Sequence, residues 1–186
     1  MGTVREELSD GRIIIKKIIT DHVSLLYQAV FESKETLKVW LPWCHSDYKI
    51  EETKQWVNFQ QTAWNDKLEF SFGIFEVGSD RFVGGCGINQ INWMYKIGNL
   101  GYWVRTDATG KGYASAATKL CAEFGFVDVR LNRIEIVAAK DNIASQKAAE
   151  KTGATKECLA RKRLIVGDKI HDAIVYSLIE EDIIKN

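Results

Sequence analysis

Proline is almost absent from this chain. Pro42 is the only one in 186 residues, and no serine- or glycine-rich run accompanies it. Long linkers and disordered stretches are therefore not expected. Net charge is absent as well, with 25 Lys and Arg offsetting 25 Asp and Glu. Such a balance argues against direct nucleic-acid binding or a membrane-surface role, while leaving room for a local patch. No apolar run approaches the ~20 residues of a membrane span. The opening Met1-Gly2-Thr3-Val4-Arg5-Glu6-Glu7 is charged and lacks the apolar centre of a signal peptide. A soluble, cytoplasmic protein is the expectation.

Cysteine and histidine are scarce. Cys44, Cys86, Cys121 and Cys158 lie far apart, and there are three histidines. Neither a disulfide framework nor a metal cluster fits that spacing, so no metal is expected. Cys44-His45 is the one Cys/His neighbour pair, and it reads as packing or surface rather than as a thiolate nucleophile. What the chain does have is 46% hydrophobic residues. At this length one domain over residues 1–186 can bury roughly 70% of the unfolded surface without a staple.

Hydrophobic periodicity divides the chain into alternating elements. Arg12–Ile18 is β-branched and reads as a strand. Thr20 or Asp21 can cap a helix in which Val23, Leu26, Tyr27 and Val30 recur at helical spacing. That helix must stop around Trp40-Leu41-Pro42-Trp43. A second helix spans Glu51–Trp64, with Trp56, Phe59, Gln60 and Ala63 on one face. Strands follow at Phe70–Phe75, Phe82–Asn92 and Gly98–Val104, then a helix over Lys111–Val127. A strand at Arg133–Ala138, a helix over Asn142–Lys151 and two strands around a Val166-Gly167-Asp168 turn complete the pattern. The order β-α-α-β-β-β-α-β-α-β-β predicts an α/β fold with a mixed, mostly antiparallel sheet flanked by helices.

The stretch richest in chemistry is Trp103-Val104-Arg105-Thr106-Asp107-Ala108-Thr109-Gly110-Lys111-Gly112-Tyr113-Ala114. A strand runs into a loop whose two glycines stand just before a helix. Glycine lets a backbone approach a ligand closely, and a helix's first N–H groups and dipole favour an anion such as a pyrophosphate. A P-loop would need Gly at 105 and Ser or Thr at 112, but Arg105 and Gly112 stand there. A dinucleotide fingerprint would need Gly at 115, which is Ser115. A tight strand-to-helix turn with no ligand is the alternative that remains.

Further pieces recur in order: Gly101-Tyr102-Trp103-Val104, Gly110-Lys111-Gly112-Tyr113-Ala114, Asn132-Arg133-Ile134, Asn142 with Ser145, Lys151-Thr152-Gly153-Ala154, and His171-Asp172 with Tyr176-Ser177-Leu178. Over nearly the whole chain this set resembles the GNAT acetyltransferases, and within them the ribosomal-protein N-terminal acetyltransferase branch. Trp40-Leu41-Pro42-Trp43 and Phe70-x-Phe72-x-Ile74 are similar to that branch too. The resemblance implies a GNAT fold binding acetyl-coenzyme A at the 105–114 loop, through Trp103, Val104, Arg105, Gly110, Lys111, Gly112, Tyr113 and Ala114. Asn142 and Ser145 are implied at the pantetheine end. The chain departs from the superfamily at Asp107, where Gln or Arg is usual, and at Ala149, where many members place a tyrosine acid. The resembled branch uses the serine three residues after the asparagine, which is Ser145.

Acyl transfer from a thioester to an amine requires a neutral amine, a donor for the carbonyl oxygen and a proton for the departing thiolate. A backbone N–H near Trp103–Arg105 is expected to serve the oxygen, and Ser145 the sulfur. Ser145 could instead bond its own backbone, and Asn142 could be only a helix cap. Glu69, Glu135 and His171 are the candidate bases. A lysine amine is neutral in roughly one molecule in 2,500 at pH 7 and an α-amine in roughly one in ten, a difference near 3.5 kcal/mol. A site without a strong base therefore favours an N-terminal α-amine. Arg161, Lys162 and Arg163 read as a solvated strand face, with an acidic substrate or the coenzyme's 3′-phosphate as alternatives. The expected activity is direct N-acetyl transfer to a protein or peptide N-terminus. Small amines such as polyamines or aminoglycosides are the alternative acceptors, and a non-catalytic acetyl-coenzyme A-binding module the alternative class. A homo-oligomer is a further expectation from the resemblance.

Overall fold

The computed structural model describes residues 4–184. Residues 1–3 of the charged opening, and both ends of the span expected to form one domain, lie outside the described residues. One eight-stranded sheet carries the architecture, in the order β1-β2-β3-β4-β5-β6-β8-β7. Its strands are β1 (Glu7–Ser9), β2 (Ile13–Lys17), β3 (Phe70–Glu76), β4 (Phe82–Asn92), β5 (Ile97–Val104), β6 (Arg133–Ala139), β7 (Thr155–Val166) and β8 (Lys169–Leu178). Five helices flank it: α1 (Val23–Leu37), α2 (Ile50–Asn65), α3 (Tyr113–Val127), α4 (Ile143–Thr152) and the short α5 (Glu180–Ile183). All strand pairs are antiparallel except β5 with β6. The expected element order holds, with β1 and α5 added at the two ends. Among the described residues, no helix is long and apolar enough to cross a membrane.

Strand alternation sends apolar side chains to both faces of the sheet. One cluster joins Ile15, Phe72, Leu100, Ile134, Ile136 and Tyr176 of the strands to Phe124 of α3 and Ala149 of α4. The other joins Phe75 and Phe82 to Val23, Leu26 and Val30 of α1 and Val57 of α2. Gly125 lets α3 lie close on the sheet, since a Cβ there would sit 2.6 Å from Ile134 Cδ1 and 2.7 Å from Ile88 Cδ1.

Two local expectations are corrected. The buried face of α2 is Thr53, Val57, Gln60, Ala63 and Trp64, whereas Trp56 and Phe59 are 39% and 50% exposed. Two polar residues occupy the inner face because each has a partner there. Thr53 Oγ1 donates to Tyr48 Oη at 2.9 Å, and Gln60 Nε2 donates to Glu69 Oε2 at 2.9 Å. As Pro42 leads one to expect, α1 has stopped before Trp40 and Trp43, which lie in the connector to α2, while Trp64 packs edge-on against Phe70 and Phe72 in the core. Thr20 and Asp21 fall in a single 3₁₀ turn, and α1 starts at Val23 without a side-chain cap.

Candidate active site

The sheet opens where β5 and β6 part. They pair only through Ile97–Arg133, Gly98–Ile134 and Asn99–Glu135. Beyond those rows β5 stays bonded to β4 as far as Val104, and β6 to β8 as far as Ala139. The Arg105 N–H donates to Val83 O at 2.9 Å. Antiparallel alternation then turns the Trp103 N–H toward β4, and the Tyr102 and Val104 N–H groups toward the opening. Within the expected Trp103–Arg105 stretch, Val104 thus carries the amide free to meet a carbonyl oxygen, and Arg105 does not.

The loop after β5 delivers the cradle. Gly110 and Gly112 adopt φ of +76° and +79°, and Gly112 is the residue from which α3 springs. Among the described residues, none accepts a hydrogen bond from the N–H groups of Gly110 through Ser115, and no acidic residue stands in the first turn of α3. A Cβ at Gly110 would meet nothing within 4 Å, so the backbone here is approachable. These amides and the helix dipole suit a diphosphate. Lys111 is exposed beside them. The hydroxyl of Tyr113 donates to Glu76 Oε1 at 2.5 Å and its ring lies under the Arg12 guanidinium, 5.3 Å away. The Tyr113 side chain is thus occupied, and what Tyr113 and Ala114 leave free at the start of α3 is their backbone N–H groups.

Arg105 is committed elsewhere. Its guanidinium pairs with Glu32 of α1 and with Asp107, and its side chain is only 15% exposed. Asp107 also takes Arg81 at 2.5 Å, and the hydrogen bond from Arg105 holds its carboxyl below the usual range. With Thr106 N–H donating to Ser33 Oγ at 3.1 Å, these contacts tie the loop to α1. The carboxylate in the slot usually held by Gln or Arg is thus an anchor for the loop.

Ser145 lies in the first turn of α4. Asn142 caps this helix, its Oδ1 accepting the Ser145 N–H at 3.0 Å. The Ser145 hydroxyl meets Tyr102, whose Oη lies 3.1 Å away and donates to Ser145 O at 2.8 Å. Burial pushes the Tyr102 phenol up to about 12, with the hydrogen bond to Ser145 acting in the opposite sense. The phenol stays protonated at neutral pH, and with its proton directed to Ser145 O its oxygen can accept the Ser145 hydroxyl. Tyr102 belongs to a motif visible in the sequence, yet sequence reasoning assigns it no role. The available signal is a polar-tipped aromatic two residues after the buried Leu100, on the same face of β5.

Trp103 points the other way, toward α1 and α2. Gly85 makes room for its indole, since a Cβ there would lie 2.7 Å from Nε1. Trp43 packs edge-on against Trp103 at 6.0 Å, and Trp40 against His171 of β8 at 6.4 Å. This face of the opening is walled by aromatic rings and one imidazole. Of the other candidate bases, Glu69 is held by Gln60 and Glu135 by Arg133. Cys44 is buried, which raises its thiol pKa, and exposed His45 meets Glu52 at 2.8 Å. Tyr176 is fully buried with its hydroxyl on Glu150 at 3.0 Å. Among the described residues, no cluster of His, Cys, Asp or Glu could hold a metal.

Comparison with known proteins agrees with this geometry. Residues 12–155 match the family model of the acetyltransferase (GNAT) domain. The chain is 29% identical over 136 residues to "Probable N-acetyltransferase YjcK" of Bacillus subtilis (strain 168), covering 73% of this chain and 75% of that one. It is 25% identical over 162 residues to the ribosomal-protein-serine acetyltransferase of Escherichia coli (strain K12), covering 87% and 89%. Its fold superposes with a TM-score of 0.84 on the solved structure of RimL, a ribosomal L7/L12 alpha-N-protein acetyltransferase, in complex with coenzyme A. That match has 23% identity and covers 90% of this chain and 94% of the other. With more than half of its length inside the family model, an open β5–β6 edge and an amide cradle at α3, the chain belongs to the GNAT acetyltransferase family and is an acetyl-coenzyme A-dependent N-acetyltransferase.

Proposed function

We propose that this enzyme acetylates the α-amine of a protein N-terminus, of the kind presented by a ribosomal protein. In this reading the amides of residues 110–115 hold the diphosphate. The Val104 N–H faces the carbonyl oxygen where negative charge develops, and Ser145, positioned by Tyr102, gives the proton that the departing thiolate needs. The amine arrives from the face of Trp40, Trp43 and Trp103.

The observation that carries the choice of amine is the state of the candidate bases. Gln60 and Arg133 occupy Glu69 and Glu135, which leaves His171 alone of the three without a side-chain hydrogen bond. An acceptor that is substantially neutral before it binds suits such a site better than a lysine. The name of the Escherichia coli relative, a ribosomal-protein-serine acetyltransferase, supports the same acceptor class.

The test is release of free coenzyme A thiol with a panel of acceptors. Peptides with free N-termini are expected to give turnover, and the same peptides blocked at the N-terminus but containing lysine are not. Turnover confined to polyamines or aminoglycosides would replace this reading with the small-amine one. Tight coenzyme binding with no acceptor consumed would favour a non-catalytic module.

A further inference from the structure

The basic run on β7 does not lie flat in the sheet. Ala160 pairs with Ala173 and Leu164 with His171, so Arg161, Lys162 and Arg163 together face the single residue Asp172. The extra residues form a bulge, a feature common beside active sites, where it re-aims side chains. Lys162 takes φ +52°, and its N–H donates to Asp172 Oδ1 at 2.9 Å, pinning the bulge to β8. The surface there is an open hollow bordered by Arg161 and Lys162.

What sets Arg161, Lys162 and Arg163 apart is that the three stand together on one bulge. Arg5, Arg81, Arg105 and Arg133 are each held by two carboxylates. Among the described residues, no carboxylate forms an ion pair with Arg161, Lys162, Arg163 or the neighbouring Lys140, a state they share with Arg12, Arg130 and most of the lysines. The three on the bulge are exposed. Their place in the fold is defined by the registers. Ala160, Ala173 and Ala139 stand in one row across β7, β8 and β6. Lys140 N–H then donates to Asp172 O at 2.9 Å, and two residues later Asn142 caps the helix that carries Ser145. On the opposite side, Trp40 touches His171, the residue paired with Leu164 at the end of the bulge. The bulge therefore borders the reacting end of the opening. The diphosphate cradle follows β5, three strands away in sheet order, or roughly 14 Å at ordinary strand spacing.

We propose that Arg161, Lys162 and Arg163 form an anion-reading lip that selects acceptors whose residues just after the reactive N-terminus are acidic. The proposal rests on the N-terminal reading of the activity and narrows its substrate class. Three unpaired cations on a pinned bulge attract carboxylates as the acceptor approaches, and salt weakens that attraction.

The experiment compares kcat/KM for serine-initiated peptides whose next three residues are Asp and Glu, or Asn and Gln. It uses the full chain and its Arg161→Gln/Lys162→Asn double variant; asparagine tolerates the positive φ at 162. The wild type is expected to favour the acidic peptide about tenfold at low ionic strength, falling to about twofold or less in ~0.5 M salt or in the variant. An equal rate on both peptides, or a preference that survives in the variant, would overturn the lip and leave the N-terminal reading standing. Turnover of small amines with no peptide turned over would overturn both. A variant that loses affinity for coenzyme A but not for dephospho-coenzyme A would assign the cations to the 3′-phosphate and overturn the acceptor role.

Discussion

Ser145→Ala is expected to lower kcat by about 100-fold, within the usual range for losing a positioned acid. Affinity for coenzyme A should change by less than about threefold, because the hydroxyl acts where the thiolate departs rather than where the diphosphate is held. The structure makes this substitution informative. The cap of α4 belongs to Asn142, which takes the backbone N–H of Ser145, so alanine leaves the helix start intact. What alanine removes is the hydrogen bond between the serine side chain and the Tyr102 hydroxyl. Tyr102→Phe should cause a smaller fall in kcat, and the double variant should be little worse than Ser145→Ala alone, since residues acting as a unit are not additive. Steady-state rates with a saturating N-terminal peptide, beside a calorimetric Kd for coenzyme A, give both numbers. An unchanged kcat for Ser145→Ala would remove the serine from the chemistry.

Gly112→Val is expected to weaken coenzyme binding about 100-fold or more, equivalent to about 2.7 kcal/mol. Glycine is required here for its backbone. With φ at +79°, a β-branched side chain is strained whatever space surrounds it. Valine would therefore rotate the peptide that starts α3 and turn the Gly112 and Tyr113 amides away from a shared anion. Local space is not the obstacle, because the nearest atom to a Cβ at this position is the mobile tip of Arg12, at 3.5 Å. The sheet and α3's packing should persist, so the far-ultraviolet circular dichroism should match the wild type while the binding isotherm flattens. A variant that folds and binds as tightly as the wild type would show that the phosphates lie elsewhere.

Much of this architecture is legible in the chain because its elements repeat at periods that residue chemistry sets. Phe70 to Asn92 reads as two strands around a Gly78-Ser79-Asp80 turn, since aromatic and β-branched residues and interior glycines in both runs suit a strand better than a helix. Glu7-Leu8-Ser9 gives no such signal, because Leu8 is its only apolar side chain and pairing with β2 alone makes it a strand. The inner face of α2 misleads for a different reason. Periodicity puts Trp56 and Phe59 on the inner face with Gln60 and Ala63; Gln60 and Ala63 do turn inward, but Thr53 and not the two aromatics joins them, Thr53 bonding Tyr48 and Gln60 bonding Glu69. At the site, the glycines of the loop and the Asn142–Ser145 spacing are visible in the chain itself. The Tyr102–Ser145 contact is not, because it joins residues 43 positions apart across an opening in the sheet. The partners of Arg105 are hidden likewise, since Glu32 comes from α1, 73 residues earlier.

In the proposed binding mode, amides at the start of α3 grip the diphosphate and so set an acetyl thioester beside Ser145. Titrating coenzyme A into ¹⁵N-labelled protein while following each backbone amide by NMR tests it most directly. The largest movements are expected at Gly110, Lys111, Gly112, Tyr113 and Ala114, with Val104 and Ser145 following. Saturable binding that leaves those signals in place and shifts a different surface would contradict it.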